Sequence, residues 1–272
     1  MTSSDPPRQL DLDSTDLRIS RGSTPASVQL AERLKDQILA QQLPPGGRLP
    51  TERELIEHTG LSRVTVRAAV GMLEKDGWLI RRQGLGTFVA EPVNQELTMG
   101  VRTITEVLVS NGVTPRVDVL SHAVVEPPPR VGDAMNRRRT LCIRRRYSDD
   151  HQPLALVTAY LPADLPDDVV APLLTMEIPT ETTYTMWEQR LGVRIGSATY
   201  EISAAAATAE VAAALDMSEG APVLVLERTS VDDHGQPLEV VIFHHRPERY
   251  AFSVTLPRTS GFDAGMTETE GR

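Results

Sequence analysis

The chain has 272 residues, 40% of them hydrophobic, which is long enough for two ordinary domains with full cores. Its net charge is −9, but this charge is unevenly distributed: residues 21–90 hold 10 Lys and Arg against 7 Asp and Glu (+3), which leaves −12 in the rest of the chain. The basic segment is therefore the part of the chain that is suited to bind a polyanion. Cys142 is the only cysteine, which excludes an intrachain disulfide and a cysteine-based metal cage, and with neither a signal peptide nor a membrane-length apolar run we expect a cytoplasmic protein.

The first segment of the chain is polar. Residues 1–22 are rich in Ser, Asp and Pro, a composition typical of a disordered arm. A helix is predicted from about Pro25 to Gln42, because Leu30, Leu34 and Ile38 recur at helical spacing. We expect this helix to pack behind the elements that follow.

Residues 48–88 carry the pattern of a helix, a tight turn, a second helix and a short two-stranded wing. Thr51 and Glu54 form a Thr-x-x-Glu capping box at the start of the first helix, and Gly60 is placed to end it. Ser62 is placed to cap the second helix. The pattern predicts a winged helix-turn-helix spanning residues 23–90, and hence duplex DNA as a partner.

Three arginines are placed to contact that DNA. Arg63 and Arg67 are four residues apart and share the face opposite the apolar stripe of the second helix. A guanidinium can pair with both acceptors on a guanine edge in the major groove, and Arg53 can reach the same groove. A solvated basic face is the alternative, but the β-prone runs around Gln83-Gly84-Leu85-Gly86 predict a wing, which favours DNA.

These residues resemble a known family. The resemblance is carried by Leu49-Pro50-Thr51-Glu52-Arg53-Glu54-Leu55, Gly60-Leu61-Ser62-Arg63-Val64-Thr65-Val66-Arg67 and Gln83-Gly84-Leu85-Gly86-Thr87-Phe88-Val89, which look like the DNA-binding domain of GntR-type bacterial regulators. It implies base contacts from Arg53, Arg63 and Arg67, a minor-groove contact from Gly84, and phosphate contacts from Arg48, Thr51, Ser62 and Thr65.

The second half of the chain has a mixed pattern. Residues 91–99, with Pro92 and no apolar periodicity, are predicted to be a linker, and residues 100–258 a second domain. Strands are predicted at 117–125, 141–147, 154–161, 195–204, 223–228, 238–243 and 251–256, and helices at 101–112, 169–174, 182–191 and 208–215. The acidic residues 259–272 are predicted to be a disordered tail.

The strands near the C-terminus decide the subfamily. They argue against an all-helical sensor domain, and a pyridoxal-phosphate-dependent domain is excluded because Lys35 and Lys75, the only lysines, lie outside this region. The remaining resemblance is to the HutC subfamily, whose α/β effector-sensing domain of chorismate-lyase-like fold is called UTRA. The expected fold class is therefore α/β (α+β), a winged helix-turn-helix joined to a mixed α/β sensor.

The resemblance to UTRA also implies an effector cleft. It rests on Ile143-Arg144-Arg145-Arg146, Thr182-Thr183-Tyr184, Gly235-Gln236-Pro237-Leu238-Glu239 and Arg246-Pro247-Glu248-Arg249-Tyr250. Thr182 and Tyr184 are expected to add hydroxyl contacts, and Glu239 and Tyr250 to close the pocket.

Strand alternation predicts that Arg144 and Arg146 point into this cleft while Arg145 points out. Two convergent guanidiniums would hold a phosphate or a carboxylate, although three arginines can also form a solvated edge strand. Sugar-phosphate-sensing members of the family often carry a carboxylate where this chain has Val157, which cannot accept hydrogen bonds from sugar hydroxyls. A less hydroxylated anion or a larger apolar acid therefore fits as well as a hexosamine phosphate.

No catalytic or metal site is predicted. His244 and His245 are adjacent, so in a strand they face opposite sides and cannot ligate one metal ion. We expect a nucleoid-associated one-component repressor, without a cofactor, that binds a palindromic operator as a two-fold homodimer. The family resemblance suggests half-sites of the GT…AC kind. The expected effector is a small anion that binds non-covalently. The alternatives are an enzyme of chorismate-lyase-like fold and an effector-independent, architectural DNA-binding protein.

Overall fold

The computed structural model contains a helical N-terminal head and a C-terminal domain built on one large sheet. It describes residues 10, 12, 15, 17–20, 23–40, 43–97, 100–149, 152–175 and 182–256. The predicted acidic tail, residues 259–272, lies outside these residues. No helix within the described ranges is long and apolar enough to cross a membrane.

The described part of the head has the predicted winged helix-turn-helix order of elements. These are α1 (Ala26–Leu39), α2 (Glu52–Thr59), α3 (Arg63–Lys75), β1 (Leu79–Arg82) and β2 (Gly86–Val89). The two strands pair antiparallel with Leu79 opposite Val89, so the wing is a hairpin attached to the end of α3.

The head core is formed by the apolar stripes of its helices. Leu30, Leu55 and Val66, one from each helix, are fully buried in a single cluster. Leu10 and Leu17 are buried in the same cluster, so the predicted disorder of residues 1–22 is wrong at these two positions. Burying a leucine contributes about 1.5–3 kcal/mol, which favours the burial of these two side chains.

The C-terminal domain is organised around a six-stranded antiparallel sheet with strand order β4-β5-β6-β9-β8-β7. Its strands are β4 (Arg116–Val125), β5 (Thr140–Ser148), β6 (Pro153–Pro162), β7 (Ile195–Ala206), β8 (Pro222–Asp232) and β9 (Pro237–His245). Strands β8 and β9 form a hairpin, which the turn residues Asp232-Asp233-His234-Gly235 between them favour.

Both faces of this sheet are covered. Val157 packs with α4 on one face, called the inner face, whereas Leu156 packs with α8 on the other. The elements that cover the sheet are α4 (Ile104–Ser110), α5 (Pro129–Met135), α6 (Asp167–Thr175), α7 (Thr183–Thr185), a π-helical turn (Met186–Arg190) and α8 (Ala209–Leu215). The helix α5 is absent from the sequence-based prediction, because Pro127-Pro128-Pro129 is a pattern typical of a break between elements. Pro129 instead occupies the first turn of the helix, where proline is tolerated.

The predicted linker is wrong in part, because residues 91–99 contain a strand. This strand, β3 (Val93–Glu96), pairs in parallel with β10 (Tyr250–Ser253), and Gln95 is buried where its side chain accepts a hydrogen bond from the Tyr250 hydroxyl at 2.8 Å. A buried glutamine interrupts the apolar periodicity, so the sequence pattern does not reveal the strand. The connection between the head and the C-terminal domain is therefore only Glu91-Pro92.

A cluster of rings surrounds His245 beneath β10. The imidazole is 1% exposed, stacks on Tyr250 with ring centroids 3.8 Å apart, and contacts Phe243 and Phe252 at 5.8 and 5.6 Å. His244 lies on the opposite face, as predicted, and none of the described residues forms a group able to hold a metal ion. Burial lowers the pKa of His245 to about 3.

Acid is therefore expected to destabilise the fold through His245. The pKa of the imidazole is 6.5 in the unfolded chain and about 3 in the folded protein. Between these pH values the unfolded chain binds more protons, so the free energy of unfolding decreases as the pH is lowered. In urea unfolding at pH 6.5 and pH 5, the wild type should lose about 1–2 kcal/mol more than His245→Phe, at up to about 1.4 kcal/mol per pH unit. His234→Asn, in the exposed β8–β9 turn, should behave like the wild type. Equal acid sensitivity of all three proteins would contradict this account.

Candidate DNA-binding surface and effector cleft

The recognition helix α3 starts at a capped and well-defined point. The Ser62 hydroxyl accepts a hydrogen bond from the Thr65 amide at 3.2 Å, and the two hydroxyl oxygens lie 2.8 Å apart. Thr51 and Glu54 form both bonds of the predicted capping box on α2, and Gly60 ends that helix in the left-handed conformation with φ 68°. These local contacts fix the turn that projects α3 outward.

The three predicted base-contacting arginines are on the surface. Arg63 is exposed, and the side chains of Arg53 and Arg67 are 81% and 61% exposed. Arg67 lies 3.6 Å from Glu52 and Arg53 lies 3.8 Å from Glu57. Exposed ion pairs of this kind contribute only about 0–1 kcal/mol to stability. Breaking them so that the arginines can contact DNA therefore costs little free energy.

The wing places a glycine and an arginine beside these helices. Gly84, at the exposed tip, has φ +74°, and Gly86 has φ +120° and lies so close to Arg48 that a Cβ there would be 3.2 Å from the guanidinium Nε. A cavity of about 160 Å³ next to the start of α2 is lined by Arg48, Thr51 and Gly86 among others. A cation and the amino end of a helix at one small cavity suit an anion such as a phosphate.

On the inner face of the sheet, the amino ends of α4 and α7 approach each other over the strands and leave a cleft. The cleft is lined by Thr103, Ile104, Arg145, Tyr147, Val157, Thr182, Thr183, Arg228, Val241 and Phe243. Its volume is about 10 Å³, which is room for about one water molecule. The cleft must therefore widen to admit a ligand larger than a water molecule.

The predicted orientation of the β5 arginines is wrong. Arg145 is 3% exposed and points into the cleft between the buried Ile143 and Tyr147. Arg144 forms an ion pair with Glu210 of α8 on the opposite face, and Arg146 pairs with Asp118 of β4 at 2.8 Å. The apolar neighbours on the strand, rather than the arginines themselves, determine which alternate set faces the core.

The second buried cation of the cleft is Arg228 from β8. Its guanidinium is 2.6 Å from Glu239, whose side chain is fully buried, and lies over the Tyr184 ring at 4.3 Å. Burial is the largest single influence on Arg228 and by itself would lower its pKa, but Glu239, Tyr184 and Tyr200 together outweigh burial and raise that pKa. Arg228 is therefore held as a cation in the protein interior.

Behind Arg228, polar side chains form a connected buried network. The Trp187 indole donates to the second Glu239 oxygen at 3.2 Å, and the Tyr184 hydroxyl lies 2.9 Å from that of Ser230. Burial raises the pKa of Tyr184 well above its usual range. Both carboxylate oxygens of Glu239 are engaged, so this residue positions Arg228 and does not line the cleft.

The structure brings together only part of the predicted effector set. Thr182 lines the cleft, whereas Tyr250 lies elsewhere, stacked on His245. Sequence analysis missed Arg145, as described above, and Arg228. A signal was present, because Leu226, Arg228 and Ser230 share the face of β8 that carries buried residues, and a cation in such a set is unusual.

A larger cavity, of about 580 Å³, lies between the head and the C-terminal domain. It is bordered by Trp78 from the head and by Met217 and Arg246 from the C-terminal domain, among others. It shares no lining residue with the cleft, and its walls come from both domains.

Comparison with known proteins gives concordant matches for both parts of the chain. Residues 26–89 match the family model described as bacterial regulatory proteins, gntR family, and residues 110–251 match the UTRA domain. The chain is 65% identical over 261 residues to the HTH-type transcriptional regulator Rv0792c of Mycobacterium tuberculosis, covering 96% of this chain and 97% of that protein. It is 30% identical over 240 residues to the HTH-type transcriptional repressor NagR of Bacillus subtilis, covering 87% and 96% respectively. The crystal structure of PhnF from Mycobacterium smegmatis shares the fold, with a TM-score of 0.55 at 23% identity over 84% of this chain and 99% of that one.

Proposed function

The chain belongs to the gntR family of bacterial regulatory proteins with a UTRA domain, a class of effector-responsive transcription regulators and not enzymes, and on that basis we propose how it reads DNA and what it senses. It acts as a repressor at the nucleoid. Its head reads the operator, and its C-terminal domain binds a small anion that alters operator affinity.

The exposed arginines of α2 and α3 carry the DNA proposal. Arg53, Arg63 and Arg67 read base edges in the major groove, and Gly84 at the wing tip enters the minor groove. The remaining contacts, to phosphates, come from Arg48, Thr51, Ser62 and Thr65. The cavity beside Arg48 and the weak surface pairing of the arginines support this assignment.

Two copies of the chain bind one palindromic operator. Two-fold symmetry in the protein matches palindromic symmetry in DNA, and the resemblance to the family suggests half-sites of the GT…AC kind. The edge strand β7 supports pairing, because Ile202 is 44% exposed on it and Ala204, Ala205 and Ala206 beside it are also exposed. A long edge with few charges is normally covered by a partner.

The test of the function is binding to the DNA upstream of the chain's own gene, against an unrelated duplex of equal length at one stated salt concentration. A preference of about a thousandfold or more is expected for a specific regulator. Equal binding to both duplexes, together with no response to acids, would favour an architectural DNA-binding protein instead.

The effector is an anion with an apolar body. Arg145 and Arg228 supply two buried guanidiniums, and the hydroxyls of Thr182 and Thr183 lie at the same cleft. The remaining walls are mostly apolar, with Val157 on the floor, and offer few partners for the hydroxyls of a sugar. A carboxylic acid with an apolar or aromatic body therefore fits better than a hexosamine phosphate.

Neighbouring arginines on β5 provide a matched test of this cleft. A ligand at about 100 times its Kd stabilises the protein that binds it by about 2.7 kcal/mol. We expect Arg145→Met to abolish the rise in Tm that a binding acid gives the wild type, and Arg144→Met to keep it, because Arg144 faces the other side of the sheet. Benzoate and glucosamine 6-phosphate are suitable first probes of the two effector classes. If Arg144→Met loses the rise in Tm and Arg145→Met keeps it, the effector binds on the face of β5 that carries Arg144 and Arg146.

A further inference from the structure

Two side chains of the C-terminal domain hydrogen-bond to the last turn of the recognition helix. Gln152, in the β5–β6 loop, donates from Nε2 to the backbone oxygens of Glu74 at 2.5 Å and Lys75 at 2.6 Å. Arg246, directly after β9, donates to the backbone oxygen of Asp76 at 2.6 Å. We call Gln152 and Arg246, with these three carbonyl groups, the latch.

The latch satisfies a physical need of α3. The last carbonyl groups of a helix lack intrahelical partners and form the negative end of its dipole, so a nearby cation and amide donors stabilise them. Gly77 then ends the helix with φ +78°, and a Cβ at this position would lie 2.9 Å from Gln152 Oε1. The two domains are therefore in van der Waals contact at this point as well as joined by hydrogen bonds.

The latch side chains are themselves fixed. Arg246 is 2% exposed, donates to Glu248 at 2.8 Å and reaches Gln152 Oε1 at 3.2 Å. An ion pair between Arg249 and Asp149 joins the β9–β10 loop to the β5–β6 loop. The two loops therefore form one unit, and the recognition helix rests on it.

This unit directly follows the strands that floor the cleft. Strand β5 carries Arg145 and ends four residues before Gln152, and β9 carries Phe243 and ends immediately before Arg246. The head has one covalent tether, Glu91-Pro92, so the latch is its second attachment to the C-terminal domain. The 580 Å³ cavity beside Arg246 leaves space into which a released head could turn.

We propose that Gln152 and Arg246 are positioning residues that set the orientation of the recognition helix for a palindromic operator. Neither residue contacts DNA in this proposal. It rests on the proposed function, in which two heads of one dimer bind two half-sites. Fixed heads raise the effective concentration of the second head at its half-site, and freely turning heads lower it.

The experiment uses the full chain with Gln152→Ala and Gln152→Glu, and Gln236→Ala in the exposed β8–β9 turn as the matched control. Gln152 lies in a loop, so its replacement leaves the sheet intact. The first readout is hydrogen exchange without DNA at the amides of Asp76 and Trp78, which bond back into α3. The second is the ratio of affinities for a palindromic duplex and a half-site duplex.

Both Gln152 variants should speed exchange at these amides about tenfold and lower the affinity ratio about fivefold or more, with half-site affinity unchanged. The glutamate variant should have the larger effect, because a carboxylate faces the negative end of the helix. Unchanged exchange would show that the latch does not hold α3, and faster exchange with an unchanged ratio would reduce it to a structural contact. A wild-type chain without any preference for the palindrome would instead contradict the proposed dimeric operator reading and, with it, the positioning role.

Discussion

Glu239→Ala is expected to destabilise the C-terminal domain by about 3–5 kcal/mol, because it leaves a buried cation without its counter-charge. Glu239 is fully buried and accepts from both Arg228 and the Trp187 indole. Its removal strips both donors of their partner in a place where water does not replace it. The variant should also lose its effector response, since Arg228 is held over the cleft by this carboxylate.

Urea unfolding followed by Trp187 fluorescence measures this loss, with Trp78→Phe as the background because the chain has only two tryptophans. Asp164→Ala is the matched control, since its carboxylate is 74% exposed and pairs with Arg137 on the surface. It should cost no more than about 1 kcal/mol. The double variant Arg228→Leu with Glu239→Leu should regain stability while remaining unresponsive to effector. A Glu239→Ala loss no larger than that of the control would contradict the buried ion pair.

Arg67→Ala is expected to weaken operator binding by about 1–3 kcal/mol, or roughly 5- to 150-fold, which is the discrimination that one bidentate arginine–guanine pair provides. The side chain is 61% exposed and its surface pair with Glu52 is weak, so the change should leave the fold of the head intact. The measurement is titration of the operator and of an unrelated duplex at one salt concentration.

Arg67→Lys separates base reading from charge. Lysine keeps the cation but lacks the planar fork, so this variant should lose operator preference while binding the unrelated duplex as the wild type does. Arg194→Ala, which removes an equal charge from a side chain 82% exposed in the C-terminal domain, should leave both affinities unchanged. Unaltered operator binding by Arg67→Ala would remove α3 from the base-reading surface.

The proposed effector cleft and the proposed DNA-reading surface lie in different domains, so regulation through them requires that they be coupled. A ligand shifts an equilibrium only by its difference in affinity for the two arrangements. The proposed cleft meets this condition, because its volume of about 10 Å³ must increase when a ligand enters. The latch at the ends of β5 and β9 is the place where such a movement would meet the recognition helix.

The sequence by itself determined the head of this protein. The capping box of Thr51 and Glu54, the Ser62 cap and Gly60 are local signals whose partners lie within four residues, and each forms the contact that its spacing predicts. The hairpin around Asp232 to Gly235 was equally predictable, because turn chemistry is local. The family resemblance rests on these same runs.

Only the tertiary structure decided the inner face of the C-terminal domain and its contact with α3. Strand alternation predicts that Arg144 and Arg145 face opposite sides of the sheet. Which of the two is buried depends on the hydrophobic core, whose residues are far apart in sequence. Arg228 hydrogen-bonds to Glu239 on the neighbouring strand of a hairpin, and Gln152 hydrogen-bonds to the backbone of Glu74 in the other domain. Such contacts have no fixed spacing, because they depend on how the sheet and its helices close over one another, and the sequence pattern therefore leaves them undetermined.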